Sequence, residues 1–155
     1  MKYIRSDLYG LIPLNEEKDR LWEKSYNDWL TEFQHIRKKL PKEFNHEFDV
    51  RHFHDYILND IRLERLRRKK KYIYNIALVF QRPERNKSDH YMTLTLHNVS
   101  KFNTSLDLNA CFIEWLYCEI LLLNSKTWSL EIEFSEGGLL CEFEKLEYKE
   151  KIGTM

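Results

Sequence analysis

The stretch Thr127-Trp128-Ser129-Leu130-Glu131-Ile132-Glu133-Phe134-Ser135-Glu136-Gly137-Gly138-Leu139-Leu140-Cys141-Glu142-Phe143-Glu144 alternates with a period of two on either side of a paired glycine. Successive side chains on a strand point to opposite faces. Ile132, Phe134, Cys141 and Phe143 therefore share one face, and Glu131, Glu133, Glu142 and Glu144 the other. The pattern predicts a hairpin that turns at Gly137-Gly138 and runs on to Tyr148, apolar inside and acidic outside. Like charges on paired strands are mildly unfavourable, so the acidic face costs some stability. A slip of phase between Phe143 and Leu146 predicts a bulge or a strand end there.

Working outward, Trp115–Leu123 reads as a strand that turns at Asn124-Ser125 into this hairpin. Tyr91–Val99 alternates Met92, Leu94 and Leu96 against Thr93, Thr95 and His97. Tyr72–Gln81 has Tyr72, Tyr74, Ile76, Leu78 and Phe80 on one face and Ile73, Ala77 and Val79 on the other, the mark of a central strand. Residues 82–89 read as a polar turn, and Lys101–Asn109 as a loop. Residues 53–66 fit both periods, because Ile57, Ile61 and Leu63 share a strand phase while Phe53, Ile57, Leu58 and Ile61 fit a helix.

Upstream lies a helix from about Glu16 to Leu40. Asn15 is a good N-cap, Glu16, Glu17 and Asp19 suit the positive end of the helix dipole, and Arg37, Lys38 and Lys39 suit the negative end before Pro41 stops it. Trp22, Tyr26, Trp29, Leu30, Phe33, Ile36 and Leu40 form one apolar stripe, read as core packing rather than a ligand-stacking surface. Pro41–Phe53 shows little periodicity and reads as a connection. The expectation is a single α+β domain over 1–155, with a long N-terminal amphipathic helix (about 16–40) packed on a mainly antiparallel sheet of five to six strands within a β-rich region at about 56–149.

Composition supports a packed globule, with 43% hydrophobic and 14% aromatic residues but only four Gly and three Pro. Cys111, Cys118 and Cys141 are odd in number and lack C-x-x-C spacing, which suits a reducing compartment better than disulfides or zinc. The start Met1-Lys2-Tyr3-Ile4-Arg5 carries charge where a signal peptide needs an apolar run. The most apolar run, Cys111–Leu123, contains Glu114 and Glu119 and is too short to span a bilayer. These features predict a cytoplasmic protein with no membrane partner.

Potential metal ligands concentrate at His46, Asp49, His52, His54 and Asp55. On a strand His52 and His54 point the same way, which would let both reach one ion. The spacing matches no zinc or iron signature, so no metal and no cofactor is expected, and a solvated or hydrogen-bonded set is the preferred reading. His54-Asp55 invites comparison with the phosphohydrolases named for that dipeptide, but those are all-helical, and here it reads as a pinned turn or polar site. No nucleophile elbow or phosphate-binding loop is present, so no catalytic residue is assigned.

The net charge of zero hides an asymmetry: 21 Lys+Arg against 15 Asp+Glu up to Phe102, and 4 against 10 from Asn103 onward. Arg62–Lys71 holds seven cations against the one carboxylate of Glu64. Such a run can neutralise nucleic-acid phosphates, and Tyr72 and Tyr74 could stack bases. A neutral chain without a nucleic-acid motif makes a solvated hairpin tip that discourages edge pairing the preferred reading. The acidic face is the converse case and suits a protein partner with a basic surface, since complementary fields speed association.

Met1-Lys2-Tyr3 with Leu8-Tyr9, the Trp- and Tyr-bearing helix ending Leu40-Pro41, His54-Asp55 ahead of the strands, and Glu119, Leu130-Glu131-Ile132 and Glu142-Phe143 in the closing hairpin carry a resemblance. Across nearly its whole length the chain resembles a family of small Gram-positive bacterial proteins catalogued as a domain of unknown function. The resemblance implies no activity, cofactor or site residue. Many small bacterial proteins of this build serve as immunity proteins, an analogy of fold alone. The leading expectation is a non-enzymatic protein-interaction module, immunity-like, that binds its partner through Glu131, Glu133, Glu142 and Glu144. The alternatives are a metal-assisted hydrolase using His46, His52 and His54, and nucleic-acid binding through Arg62–Lys71.

Overall fold

A computed structural model of the chain describes residues 16–51, 53, 56–82, 90–107, 109, 110 and 112–153, with the backbone alone at 49–51. Helix α1 (Glu16–Ile36) passes into a 3-10 turn (Arg37–Lys39), then α2 (Lys42–Arg51). Among the described residues eight strands follow: β1 (Ile57–Arg68), β2 (Lys71–Arg82), β3 (His90–His97), β4 (Lys101–Thr104), β5 (Trp115–Leu122), β6 (Trp128–Phe134), β7 (Gly137–Phe143) and β8 (Lys145–Ile152). They form two antiparallel four-stranded sheets, ordered β1-β2-β3-β8 and β4-β7-β6-β5.

The α+β class stands, but the single sheet of five to six strands becomes two sheets of four. Two runs of chain bend from one sheet into the other. β3 continues into β4 through Asn98, at φ 54°, and β7 continues into β8 through Glu144. Asn tolerates this left-handed conformation better than most residues. The corner is held by backbone bonds from Glu144 N to the His97 carbonyl and from Ser100 N to the Glu142 carbonyl, and by Asn98 Nδ2 donating to Glu144 Oε2 at 2.6 Å. The phase slip between Phe143 and Leu146 is this corner, where the chain changes sheets. At the far end the sheets meet again, as Leu58 N donates to the Ile113 carbonyl and Trp115 N to that of Tyr56.

The inner faces join around Phe80, Trp115 and Phe134, with Phe80 and Trp115 ring centroids 4.8 Å apart. Phe53 stacks on Trp115 at 4.8 Å and carries the core to the helices, where Trp29, Phe33 and Phe48 pack ring on ring. The aromatic stripe of α1 thus faces the core: Trp29, Phe33, Ile36 and Leu40 are buried, and Trp22 and Tyr26 pack against them.

Three local expectations are corrected, and one segment left open between strand and helix is decided. Residues 42–51 are helix, not a connection: Pro41 suits a helix start, and Phe44 and Phe48, one turn apart, are buried. Lys101–Thr104, read as loop, is a strand whose wholly exposed side chains give no periodic signal; β7 supplies its hydrogen bonds. Residues 57–68 are strand. The closing hairpin turns at Ser135-Glu136, and Gly137 and Gly138 open β7 instead. Glycine is needed there because Gly137 sits at φ +119°, and a Cβ would lie 2.4 Å from the Ser105 carbonyl oxygen.

Candidate functional site

The basic run lies on the β1–β2 hairpin, with Lys69-Lys70 in the turn and Lys69 at φ 54°. β2 pairs with β3 only from Ile76 to Arg82, but with β1 all the way back to Lys71. Beyond the Leu63–Ile76 pair, residues 64–75 therefore form a two-stranded ribbon that no third strand extends along its length. The inner-face phase that buries Ile76, Leu78 and Phe80 continues onto this ribbon as Tyr74 and Tyr72. Opposite them in register stand Arg65 and Arg67.

This face is exposed where its continuation is core. Leu63 is 65% exposed, Tyr72 55% and Tyr74 38%, against 1% for Ile76. The Arg65 guanidinium lies 4.8 Å from the Tyr72 ring centroid, a cation–π contact. Among the described residues no ion pair joins Arg65, Arg67, Arg68, Lys69, Lys70 or Lys71 to a carboxylate. Glu64, the only carboxylate of the run, accepts from Asn75 Nδ2 at 3.2 Å, and Asn75 Oδ1 accepts from Asn98 N. Beside the ribbon a groove of about 700 Å³ is lined by Lys39, Arg68, Lys126 and Lys145, with His97, Trp128 and Glu147 among its other walls.

The four predicted partner-binding carboxylates fall on or beside the second sheet. Glu131 and Glu133 on β6 and Glu142 on β7 are only half-exposed, and Glu144 stands exposed at the corner. Glu142 pairs with Lys101 of β4 at 3.3 Å, and Glu144 is taken by Asn98. Glu119, cross-strand from Glu131, is buried. Much of the acidic patch is therefore engaged within the protein. On the first sheet Glu147 receives Lys145 Nζ at 2.7 Å and lies 3.4 Å from His97 Nε2, and these neighbours lower its pKa.

Of the proposed metal ligands, His46 is exposed on α2, while His52, His54 and Asp55 lie outside the described residues, as does the side chain of Asp49. Among the described residues no three His, Cys, Asp or Glu are grouped to hold a metal. Cys118 and Cys141 are buried free thiols, and burial pushes each pKa up to about 12; Cys111 is outside the described residues. Among the described residues no helix is long and apolar enough to cross a membrane.

Sequence reasoning missed a buried polar chain. The Tyr56 hydroxyl lies 3.1 Å from Glu47 Oε1 and 2.9 Å from His90 Nδ1. His90 Nε2 lies 3.4 Å from Glu150 Oε2, and Tyr148 donates its hydroxyl hydrogen to Glu150 Oε1. The Tyr148 pKa is raised, chiefly by burial and then by Glu150. These residues come from α2, the entry to β1, β3 and β8, so no local pattern could have announced them. The chain ties α2 to the first sheet.

Comparison of the chain with protein-family models, with curated proteins and with solved structures finds no match.

Proposed function

We propose that the protein is a non-enzymatic binding module that engages an anionic partner through the β1–β2 ribbon. The observation that carries this reading is the solvent-exposed end of an otherwise buried sheet face, where Leu63, Tyr72 and Tyr74 stand among Arg65, Arg67 and the turn lysines. Charges alone would protect a sheet edge from pairing. Edge protection does not require exposed tyrosines and a leucine beside them, and such patches mark interaction surfaces. No set of acid, base and nucleophile on the described residues supports a catalytic role.

Heparin serves as a general polyanion probe. Wild-type protein is retained on a heparin column at low salt, and the double variant Arg65→Glu, Arg67→Glu, folded by circular dichroism, elutes much earlier. Wild-type protein in the flow-through, or a variant that elutes unchanged, overturns the reading.

A second reading, immunity-like binding of a basic protein through Glu131, Glu133, Glu142 and Glu144, is supported by Glu131 and Glu133 projecting from the same face of β6. It ranks lower because Lys101 and Asn98 already engage two of the four carboxylates. Changing all four to Lys abolishes co-purification of such a partner if this reading holds.

A further inference from the structure

Resting on the ribbon as the binding surface, we propose that its occupant is a single-stranded nucleic acid whose bases stack on Tyr72, Tyr74 and the Arg65 guanidinium. Residues two apart on a strand are separated by about 6.6 Å. Tyr72 and Tyr74 are so related, on one face and both exposed. Stacked bases within a duplex repeat at about 3.4 Å along each strand, half that spacing. The two rings therefore fit bases splayed apart, as single strands allow and duplexes do not. Arg65 covers one face of Tyr72, and its planar guanidinium offers a further stacking surface. Arg67 lies across from Tyr72 on the same face, and Lys69 and Lys70 stand in the turn just beyond. Among the described residues none of the three has an ion pair, so they bring cations to where the phosphates of a stacked strand would run. An acidic peptide would use the charges but leave the two rings without a role.

Fluorescence anisotropy separates these cases, with a labelled oligo-dT strand, a duplex of equal length, and a labelled poly-glutamate peptide as probes. The single strand is expected to bind more tightly than either other probe. Tyr72→Ala with Tyr74→Ala, which keeps every charge, is expected to weaken that binding by about tenfold or more. The phosphate contact removed by Arg67→Ala lowers the salt slope by about 0.7. Equal binding of duplex and single strand, or an unaffected tyrosine double variant, overturns the stacking proposal. Tighter binding of poly-glutamate assigns the ribbon to an acidic protein and overturns it too. If heparin retention survives in those cases, the ribbon remains the binding surface. If heparin retention is also absent, the broader reading falls with it.

Discussion

The Tyr56 hydroxyl bridges the Glu47 carboxylate and His90 Nδ1, at 3.1 and 2.9 Å, with all three residues buried. A phenol has one hydrogen, and the carboxylate is the stronger acceptor, so Tyr56 donates to Glu47 and accepts from His90 Nδ1–H. That choice leaves Nε2 facing Glu150. Tyr56→Phe removes both hydrogen bonds of this buried hydroxyl and is expected to cost about 1–3 kcal/mol in urea unfolding. Tyr148→Phe is expected to cost less, because the Glu150 side chain it releases is 39% exposed and rehydrates. Equal urea midpoints for wild type and Tyr56→Phe would show that the bridge carries no stability.

Gly137→Ala places a Cβ against the Ser105 carbonyl at a φ that L-residues rarely adopt. The β4–β7 contact must open, since Ser105 N donates to the Gly138 carbonyl and Gly138 N to Ser105 Oγ. A loss of about 2 kcal/mol or more in thermal or urea unfolding is expected. Gly153→Ala has a similar φ but nothing within 4 Å, so it is expected to cost less. The two variants measured together separate backbone strain from the clash.

Cys118 and Cys141 hold their protons to about pH 12 in the folded state, against an ordinary value of 9.0. The folded state therefore binds more protons than the unfolded one between those values, and stability falls as pH rises through that window. The stabilisation is fully present below about pH 9 and declines above it, by up to about 1.4 kcal/mol per pH unit for each thiol. Unfolding titrations at pH 8, 9 and 10 check the sign. A thiol reagent at pH 8 is expected to modify neither cysteine until denaturant is added.

Along one face of β2 the energetic role of the side chains changes at Ile76. Tyr74→Ala removes an exposed ring and is expected to alter stability by about 0.5 kcal/mol or less. Ile76→Ala empties a fully buried position and is expected to cost about 2–5 kcal/mol. A large destabilisation by Tyr74→Ala would mean that the ring packs as core and is not held out for a partner.

The helix stripe, the alternation in β2, β3, β6 and β7, and a hairpin tip within Arg62–Lys71 were all legible, because each is a short-range periodicity or charge pattern. β4 was not, since Lys101–Thr104 is exposed throughout, Phe102 included, and owes its conformation to β7. Nor was α2, where the apolar spacing is carried by Phe44 and Phe48 alone. The cationic run was legible as composition. Its projection beyond β3, and the exposure of Tyr72 and Tyr74 on a face that is core from Ile76 onward, were not.

By itself the sequence determined which side chains of each strand and of the long helix face inward, because a period of two or of 3.6 is a property of neighbouring residues. It also determined that the chain is basic early and acidic late. The tertiary structure alone decided where the sheet turns its corner at Asn98 and Glu144, which carboxylates are consumed by Lys101 and Asn98, and that Glu47, Tyr56, His90 and Glu150 meet. Those outcomes depend on pairings between residues far apart in the chain, for which periodicity carries no information. They are also what leaves the β1–β2 ribbon cationic, aromatic and exposed.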